Sequence, residues 1–195
     1  MQDEDERLAE VEHFQPRDTA STPALDRLAQ LAASLFRAPM AAVSLVDGDR
    51  QWLKARCGLD LTSTAREHAL CSHVLPLGPS GILVVPDAAQ DARFAANPLV
   101  TGAPCIRFYA GAALTSRQGQ VLGALCVIDH TPRTLTDGQR EALTLIGRQV
   151  MRRLEQQRAL RALQAFSDER VAHLEQLQQY AGTLALSEQR LAMVL

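Results

Sequence analysis

The sequence predicts an α+β fold, an antiparallel sheet with helices packed on it, extended by a long helix at the C-terminus. Apolar runs of strand length are joined partly by hairpin turns and partly by longer crossings, which favours an antiparallel sheet over a doubly wound parallel one. After Pro132 the chain contains no proline, and Asp137–Leu195 is a segment of 59 residues with a helical pattern. Such a helix would be about 88 Å long at about 1.5 Å per residue.

Two helices are predicted before the first strand. Glu4–Phe14 has a weak helical pattern that ends before Pro16. Thr22 is a favoured cap and Pro23 suits the first helical position, so a second helix is expected to begin there. Its buried face is predicted from the spacing of its apolar residues, which are Leu25, Leu28, Leu31, Ala32, Leu35 and Phe36. Pro39 then ends the helix.

The strands are predicted from short apolar or β-branched runs bounded by turn residues. They are expected at Met40–Val46, Gln51–Arg56, Ile82–Val85, Phe108–Leu114 and Val121–Ile128. Asp47-Gly48-Asp49 closes the first hairpin, and a turn containing Gly119 closes the last one. Between them, Arg66–Leu75 is predicted to be helical, and 91–101 is predicted to be a loop with a helical turn broken at Asn97-Pro98.

The C-terminal segment is too long to pack along one domain, so its far part is expected to pair with a second copy as a parallel coiled coil. Apolar residues recur there with the 3-4 spacing of a coiled-coil seam. The predicted dimer seam consists of Leu143, Ile146, Val150, Leu174, Leu177, Ala181 and Leu184, with phase breaks between its two halves. A tail that folds back as a helical hairpin near Gly182 is the alternative.

Composition restricts the class of protein. The 195 residues are 47% hydrophobic and 22% charged, which is too apolar for a disordered chain. No run approaches about 18 apolar residues, so no membrane span is expected. The acidic start is followed by no apolar signal core, which predicts a cytoplasmic protein. The net charge of −2 gives no reason to expect nucleic-acid binding.

Several strings in the middle of the chain, in this order, resemble the GAF domains of bacterial sensors. They are Leu25–Phe36 before the Pro39–Val46 strand, Asp49–Leu59, Arg93–Gly102, Arg107–Leu114 and Leu122–Asp129. The resemblance covers about residues 22–155. It implies a central antiparallel sheet with helices on one face and a ligand cleft on the other. It also implies the input end of a signalling protein whose output is a histidine kinase, a diguanylate cyclase or a related enzyme.

The resulting domain prediction has four parts. Residues 1–21 form an N-terminal helical and loop segment, 22–155 the GAF sensory domain, and 156–185 a coiled-coil signalling helix. The last ten residues, 186–195, resemble the opening helix of a PAS domain. The whole is therefore expected to be a cut from a longer receptor.

Candidate ligand-binding residues combine reactive, charged and aromatic side chains. They are Trp52, Cys71, His73, Asp87, Phe94, Arg107 and Tyr109. A nearby imidazolium would lower the pKa of the Cys71 thiol. The Arg107 guanidinium suits a carboxylate or phosphate, with an internal carboxylate, Asp87 or Asp129, as its alternative partner. The aromatic residues can line a pocket or fill the core.

The known chemistries of GAF relatives are only partly matched. Bilin-binding relatives attach the chromophore through a cysteine followed directly by histidine, whereas Ser72 separates Cys71 from His73 here. The Asn-Lys motif of cyclic-nucleotide binders is absent, because Leu53 precedes Lys54, the only lysine. The four cysteines lack the paired spacing of a zinc site, so no metal is expected. The sequence identifies no cofactor.

The function predicted from the sequence is therefore a non-catalytic sensory and dimerisation module. It would bind a small ligand or a partner and transmit the change through a homodimeric helix to an output domain outside this chain. Two alternatives remain. One is a thiol enzyme of the free-methionine-sulfoxide-reductase type, which requires cysteines distant in sequence to meet in space. The other is a dimerisation adaptor without a ligand.

Overall fold

The structure, a computed structural model, describes residues 4–14 and 22–192, with 181–192 described as backbone only. The helices are α1 (Glu4–Glu12), α2 (Pro23–Phe36), α3 (Pro98–Thr101) and α4 (Asp137–Ala192). The strands are β1 (Met40–Val46), β2 (Arg50–Cys57), β3 (Ser63–Ala65), β4 (Ile82–Val85), β5 (Phe108–Thr115) and β6 (Val121–Asp129). They form one sheet in the order β3-β2-β1-β6-β5-β4. Every neighbouring pair is antiparallel, so the predicted α+β fold is confirmed.

Two local details go beyond the prediction. The segment Arg66–Leu75 is helical as expected, but it forms two 3-10 helices, Arg66–His68 and Leu70–Leu77, and not an α-helix. The second contains Pro76, whose missing N–H and fixed ring do not suit an α-helical interior. Strand β3 was not predicted, because its three half-buried residues are too short a run to show alternation.

The buried face of α2 also differs from the prediction. Leu31 and Leu35 are 50% and 53% exposed, whereas Ala29 and Ala33 are buried. The buried set is Leu25, Ala29, Ala32, Ala33 and Phe36. Small residues on this face let the helix approach the sheet closely, so the alanines are buried and two of the predicted leucines are not.

The two faces of the sheet carry separate apolar cores. One core lies under α1, α2 and the start of α4, and the other lies under the 3-10 helices and the loop that contains α3. Strand β6 is buried throughout and contributes alternate residues to both. Leu125 and Val127 face the helices, and Cys126 and Ile128 face the other core. Adjacent residues of β6 therefore belong to opposite cores, so a displacement of the strand on one face also moves residues on the other face.

Helix α4 begins at a capping box before Asp137. The Thr136 hydroxyl accepts a hydrogen bond from the Gln139 N–H, and the Gln139 side chain accepts one from the Thr136 N–H. The next turns enter the core through five buried side chains, Leu143, Ile146, Val150, Met151 and Leu154. This corrects the predicted dimer seam: its first three residues pack inside their own chain and are not available to a partner helix.

The chain divides into two units, 1–155 and 156–195. In the second unit the large apolar side chains described are at least half exposed, and they are Leu160, Leu163, Phe166, Val171, Leu174, Leu177 and Tyr180. The seam positions Ala181 and Leu184 fall where only the backbone is described, as does the predicted PAS start up to residue 192. Residues 15–21 and 193–195 lie outside the described residues. No described helix is long and apolar enough to cross a membrane.

Candidate functional site

A small cavity lies on the face of the sheet opposite α2 and α4. Its volume is about 30 Å³, which is room for one or two water molecules. Strands β1, β2, β5 and β6 form its floor, and 59–61, the start of the second 3-10 helix and 99–106 form its walls. The lining is mostly apolar, so its few polar atoms decide what it can bind.

Two of those polar atoms lie side by side on neighbouring strands. Gln51 on β2 and Thr64 on β3 are directly paired, so their side chains share a face. The side-chain oxygen Oε1 of Gln51 and the hydroxyl Oγ1 of Thr64 are buried, and neither has a hydrogen-bond partner among the described residues. Buried polar atoms are normally paired. Two adjacent exceptions therefore lie in one wall of the cavity.

A sulfur cluster occupies another part of the wall. The Tyr109 hydroxyl donates a hydrogen bond of 3.2 Å to the sulfur of Cys71, and both residues are buried. Cys126 also lines the cavity and interacts with Cys71, and its thiol donates to the Ala42 carbonyl at 3.6 Å. Two cysteines that are 55 positions apart in sequence therefore meet at the cavity.

The geometry of β5 and β6 explains this meeting. Gly111 is paired with Cys126, and Tyr109 lies two residues before Gly111 on the same face. A Cβ on Gly111 would overlap the Tyr109 ring and hydroxyl, so glycine leaves the space in which the ring lies. The ring is thereby directed across β5 toward the two thiols.

The pKa values of Cys71, Cys126 and Tyr109 are shifted in different directions. The hydrogen bond with Cys126, assisted by Ser44 and Tyr109, lowers the pKa of the Cys71 thiol despite its burial. The hydrogen bond with Cys71 and burial raise the pKa of Cys126, and burial raises that of Tyr109. The neighbours of Cys71 therefore favour its thiolate form, and those of Cys126 disfavour its thiolate form.

Arg107 holds the cavity wall. Its guanidinium donates to the carbonyl oxygens of Val100 and Ile106, at 2.9 and 3.0 Å. Neither of the carboxylates proposed from the sequence, Asp87 and Asp129, is its partner: Asp87 accepts from the backbone of Ala89, and Asp129 pairs with Arg133. Arg107 thus fixes the loop that supplies Leu99, Pro104 and Ile106 to the cavity.

The remaining candidates lie away from the cavity lining. Trp52 donates to Asp47 at 2.7 Å and stacks under the Arg50 guanidinium. His73 is exposed and packs edge-on against the ring of buried Phe94, with centroids 4.7 Å apart. Of the predicted residues, only Cys71 and Tyr109 are brought together at the cavity. Their role in ligand binding stays a prediction, as does that of the others.

Gln51, Thr64 and Cys126 were missed from the sequence. A polar residue at the inward position of a strand, as Gln51 alternates with Leu53, was the one available signal. Cys126 required the register of β5 and β6, which sequence alone does not supply. In the described part of the chain no group of three or more His, Cys, Asp or Glu residues could hold a metal ion.

An antiparallel sheet with helices on one face and a small cavity on the other defines this chain as an α+β domain. More particularly, the chain belongs to the GAF domain family, whose family model matches residues 21–154. Domains of this family are typically sensory or regulatory modules.

Among characterised proteins, a cyclic di-GMP phosphodiesterase of Pseudomonas aeruginosa is 41% identical over 132 residues, which is 68% of this chain. The match spans only 22% of that relative's length. The GAF domain of a Coxiella burnetii phosphoenolpyruvate-protein phosphotransferase superposes with a TM-score of 0.60 at 13% identity, over 83% of this chain and 99% of its own. The free methionine-R-sulfoxide reductase of Neisseria meningitidis gives a TM-score of 0.56 at 19% identity, over 77% and 87%. At these identities the structural matches concern the fold alone.

Proposed function

We propose that this chain is the sensory module of a longer signalling protein, in which the cavity binds a small polar molecule. The observation that carries this proposal is the adjacent pair of unpartnered oxygens on Gln51 and Thr64. An amide oxygen accepts a hydrogen bond, and a hydroxyl both donates and accepts. A ligand that carries a donor, such as an amine, amide or hydroxyl, would satisfy both.

A ligand larger than two waters requires the wall to move. The loop 99–106 is the part proposed to move, because it is a wall of the cavity that lies outside the sheet. The Arg107 hydrogen bond to the Val100 carbonyl and the buried side chains of Val100 and Ile106 hold it in the closed form. A ligand that favours the open wall shifts the population toward it by its difference in affinity for the two states. The size of the population shift therefore depends on how much more favourably the open form lets the ligand hydrogen-bond to Gln51 and Thr64.

Strand β6 connects this change to α4. Cys126 and Ile128 line the cavity, and their neighbours Leu125 and Val127 belong to the core that contains Leu143. Coupling of about 1–3 kcal/mol would alter output about 5- to 150-fold. In this proposal the helix passes the change to an output domain through a homodimer formed by 156–185.

The output domain is proposed to be an enzyme of a signalling pathway. A histidine kinase or diguanylate cyclase follows from the family resemblance. The relative in Pseudomonas aeruginosa adds a third candidate, since it is a cyclic di-GMP phosphodiesterase. Its likeness supports cyclic di-GMP turnover over the histidine kinase.

The test is the substitution Thr64→Val, which removes the hydroxyl and keeps the shape. Because Oγ1 has no partner, we expect the free energy of unfolding without ligand to stay equal or rise. Thermal-shift screening of amino acids, nucleobases and polyols against the wild type should find a stabilising compound, and its effect should fall in the variant. Thr134→Val is the control, since Thr134 is exposed and lies outside the cavity lining and the loop 99–106.

Two outcomes would contradict the proposal. A loss of stability in Thr64→Val would show that the hydroxyl is already satisfied. A wild-type protein that binds none of these compounds, and carries no bound mass in native mass spectrometry, would favour the adaptor without a ligand.

A thiol enzyme of the free-methionine-sulfoxide-reductase type is the second candidate. The contact between Cys71 and Cys126 at the cavity favours it, because the pair offers a nucleophile and a resolving thiol. The cavity of about 30 Å³ admits an amino-acid substrate only if the wall opens, as it must for the ligand proposed above. Reduction of free methionine sulfoxide with a dithiol reductant, abolished by Cys71→Ser and retained by Cys57→Ser, would establish it. No activity in the wild type would exclude it.

A further inference from the structure

A second cavity lies on the other side of the sheet, between α4 and the turn that joins β5 to β6. It is a groove of about 410 Å³, within the range of small-molecule sites. All of its lining residues belong to the unit 1–155. It shares none of them with the cavity that contains Gln51 and Thr64.

The groove has an excess of positive charge. Arg148 and Arg152 lie one helical turn apart on α4, and Arg117 faces them from the turn. The single carboxylate among the lining residues, Glu155, is 2.6 Å from the Arg117 guanidinium and is neutralised by it. Neither Arg148 nor Arg152 has a carboxylate partner among the described residues. Two guanidinium groups are therefore available to an anion.

The floor of the groove supplies buried hydroxyls. Ser116 is 6% exposed, and its Oγ has no hydrogen-bond partner among the described residues. The Oγ1 of its neighbour Thr115 is likewise buried and unpartnered. Ser116 and Thr115 line the same groove as Arg148 and Arg152, and a phosphate oxygen accepts hydrogen bonds from hydroxyl and guanidinium donors alike.

The rest of the lining is suited to an organic group. Pro79, Ala113 and Met151 contribute apolar surface beside the charged part. A free phosphate would leave this surface uncovered, whereas a phosphate ester of a small organic molecule would use both parts.

We propose that this groove binds a phosphorylated small molecule, with its phosphate between Arg148, Arg152 and the Ser116 hydroxyl. The ligand would join the β5–β6 turn to α4, the helix that the sensory mechanism uses. The groove would thus be a second input to that helix, independent of the cavity on the opposite face.

The test is calorimetric titration of the full chain with inorganic phosphate, pyrophosphate and the nucleotides AMP and GMP at low salt. We expect at least one nucleotide to bind more tightly than inorganic phosphate, and its affinity to fall as salt is raised. The double variant Arg148→Gln/Arg152→Gln should weaken that binding about tenfold or more. Arg153→Gln is the control, since Arg153 lies on the same helix outside the lining.

Ser116→Ala gives a second, independent readout. Removing an unpartnered hydroxyl should weaken binding several-fold while leaving the free energy of unfolding equal or higher. Absence of nucleotide binding would overturn the proposal, and so would equal effects of Arg148→Gln/Arg152→Gln and Arg153→Gln. Unchanged nucleotide affinity in Ser116→Ala would show that the Ser116 hydroxyl does not contact the phosphate, and it would overturn the proposed phosphate site.

Discussion

At the scale of single residues, Gly111 decides the geometry of the sulfur cluster. Its missing side chain is the space that the Tyr109 ring fills, on a strand that is otherwise buried. We expect Gly111→Ala to push the ring out of position, to break its hydrogen bond to Cys71, and to destabilise the protein by about 1–3 kcal/mol, the usual cost of overpacking. Urea unfolding measures the loss.

Gly138→Ala is the matched control for that substitution. Gly138 lies in the first turn of α4, and a Cβ there would meet nothing within 4 Å. Alanine at this position should leave stability unchanged or raise it slightly. Equal stability of both variants would show that the Tyr109 ring can move without cost and that Gly111 does not position it.

Residue types alone located part of the site. Cys71 and Tyr109 were found because a thiol near histidines and a tyrosine at a strand end are chemically conspicuous. Thr64 was not, because a threonine in a short polar segment carries no signal until β3 is seen to pair with β2. Gln51 and Thr64 lie side by side only because β2 and β3 are hydrogen-bonded to each other. The local pattern of residues in either segment does not predict which strands will pair.

At the scale of elements, the contacts of one carboxylate and two arginines add to the buried Val11 in holding α1 on the domain. Glu4 accepts from Arg7 at 2.8 Å and from Arg66 at 2.6 Å, and buried Arg7 also donates to the Val46 carbonyl. The hydrogen bond from Arg7 is the main cause that lowers the pKa of Glu4, from 4.5 to about 2. The ionised carboxylate therefore binds α1 more strongly than the protonated one.

The sign of the pH dependence follows from this lowered pKa. A carboxyl whose pKa is lower in the folded state adds stability above its unfolded value of 4.5, and that stability is lost as the pH falls toward 2. We expect wild type to exceed Glu4→Gln in unfolding free energy at pH 6 and the difference to shrink between pH 4.5 and 2. Urea titrations across this range measure it, with Glu12→Gln on the same helix as control. A difference that does not change with pH would contradict the assigned pair.

The elements also show where a periodic pattern is ambiguous. The spacing of Leu143, Ile146 and Val150 fits a coiled-coil seam, but it equally fits a helix that packs on a sheet, and the structure shows the second. By contrast, the bounds of β1 and β4 agree with the prediction residue for residue, because turn residues or proline flank both apolar runs. The sequence predicts the bounds of an element well where turn residues or proline mark its ends. It predicts poorly what that element packs against.

At the scale of the whole molecule, the core contacts of α4 end before the second unit begins. The last buried apolar residue of α4 is Leu154, and the described apolar residues from Leu160 to Tyr180 are exposed. A row of exposed leucines on a helix is stabilised when a second helix covers it. Self-association and folding of the domain should therefore be separable at Glu155.

We expect a chain shortened to 1–155 to fold with nearly unchanged stability and to be monomeric, while the full chain is dimeric. A chain shortened to 1–139 should not fold, because it loses the five α4 side chains of the core. Each contributes about 1.5–3 kcal/mol, and together they are comparable with the total stability of a domain, about 5–15 kcal/mol. Analytical ultracentrifugation and urea unfolding measure both quantities.

Leu177→Glu in the full chain tests the dimer without shortening it. A charge in an apolar seam should dissociate the dimer, whereas Gln179→Glu adds the same charge on the opposite side of the helix and should leave it intact. Dissociation by both variants would indicate that charge, not the seam, controls association. A full chain that is monomeric at high micromolar concentration would exclude the dimeric helix and require the cavity to signal within one chain.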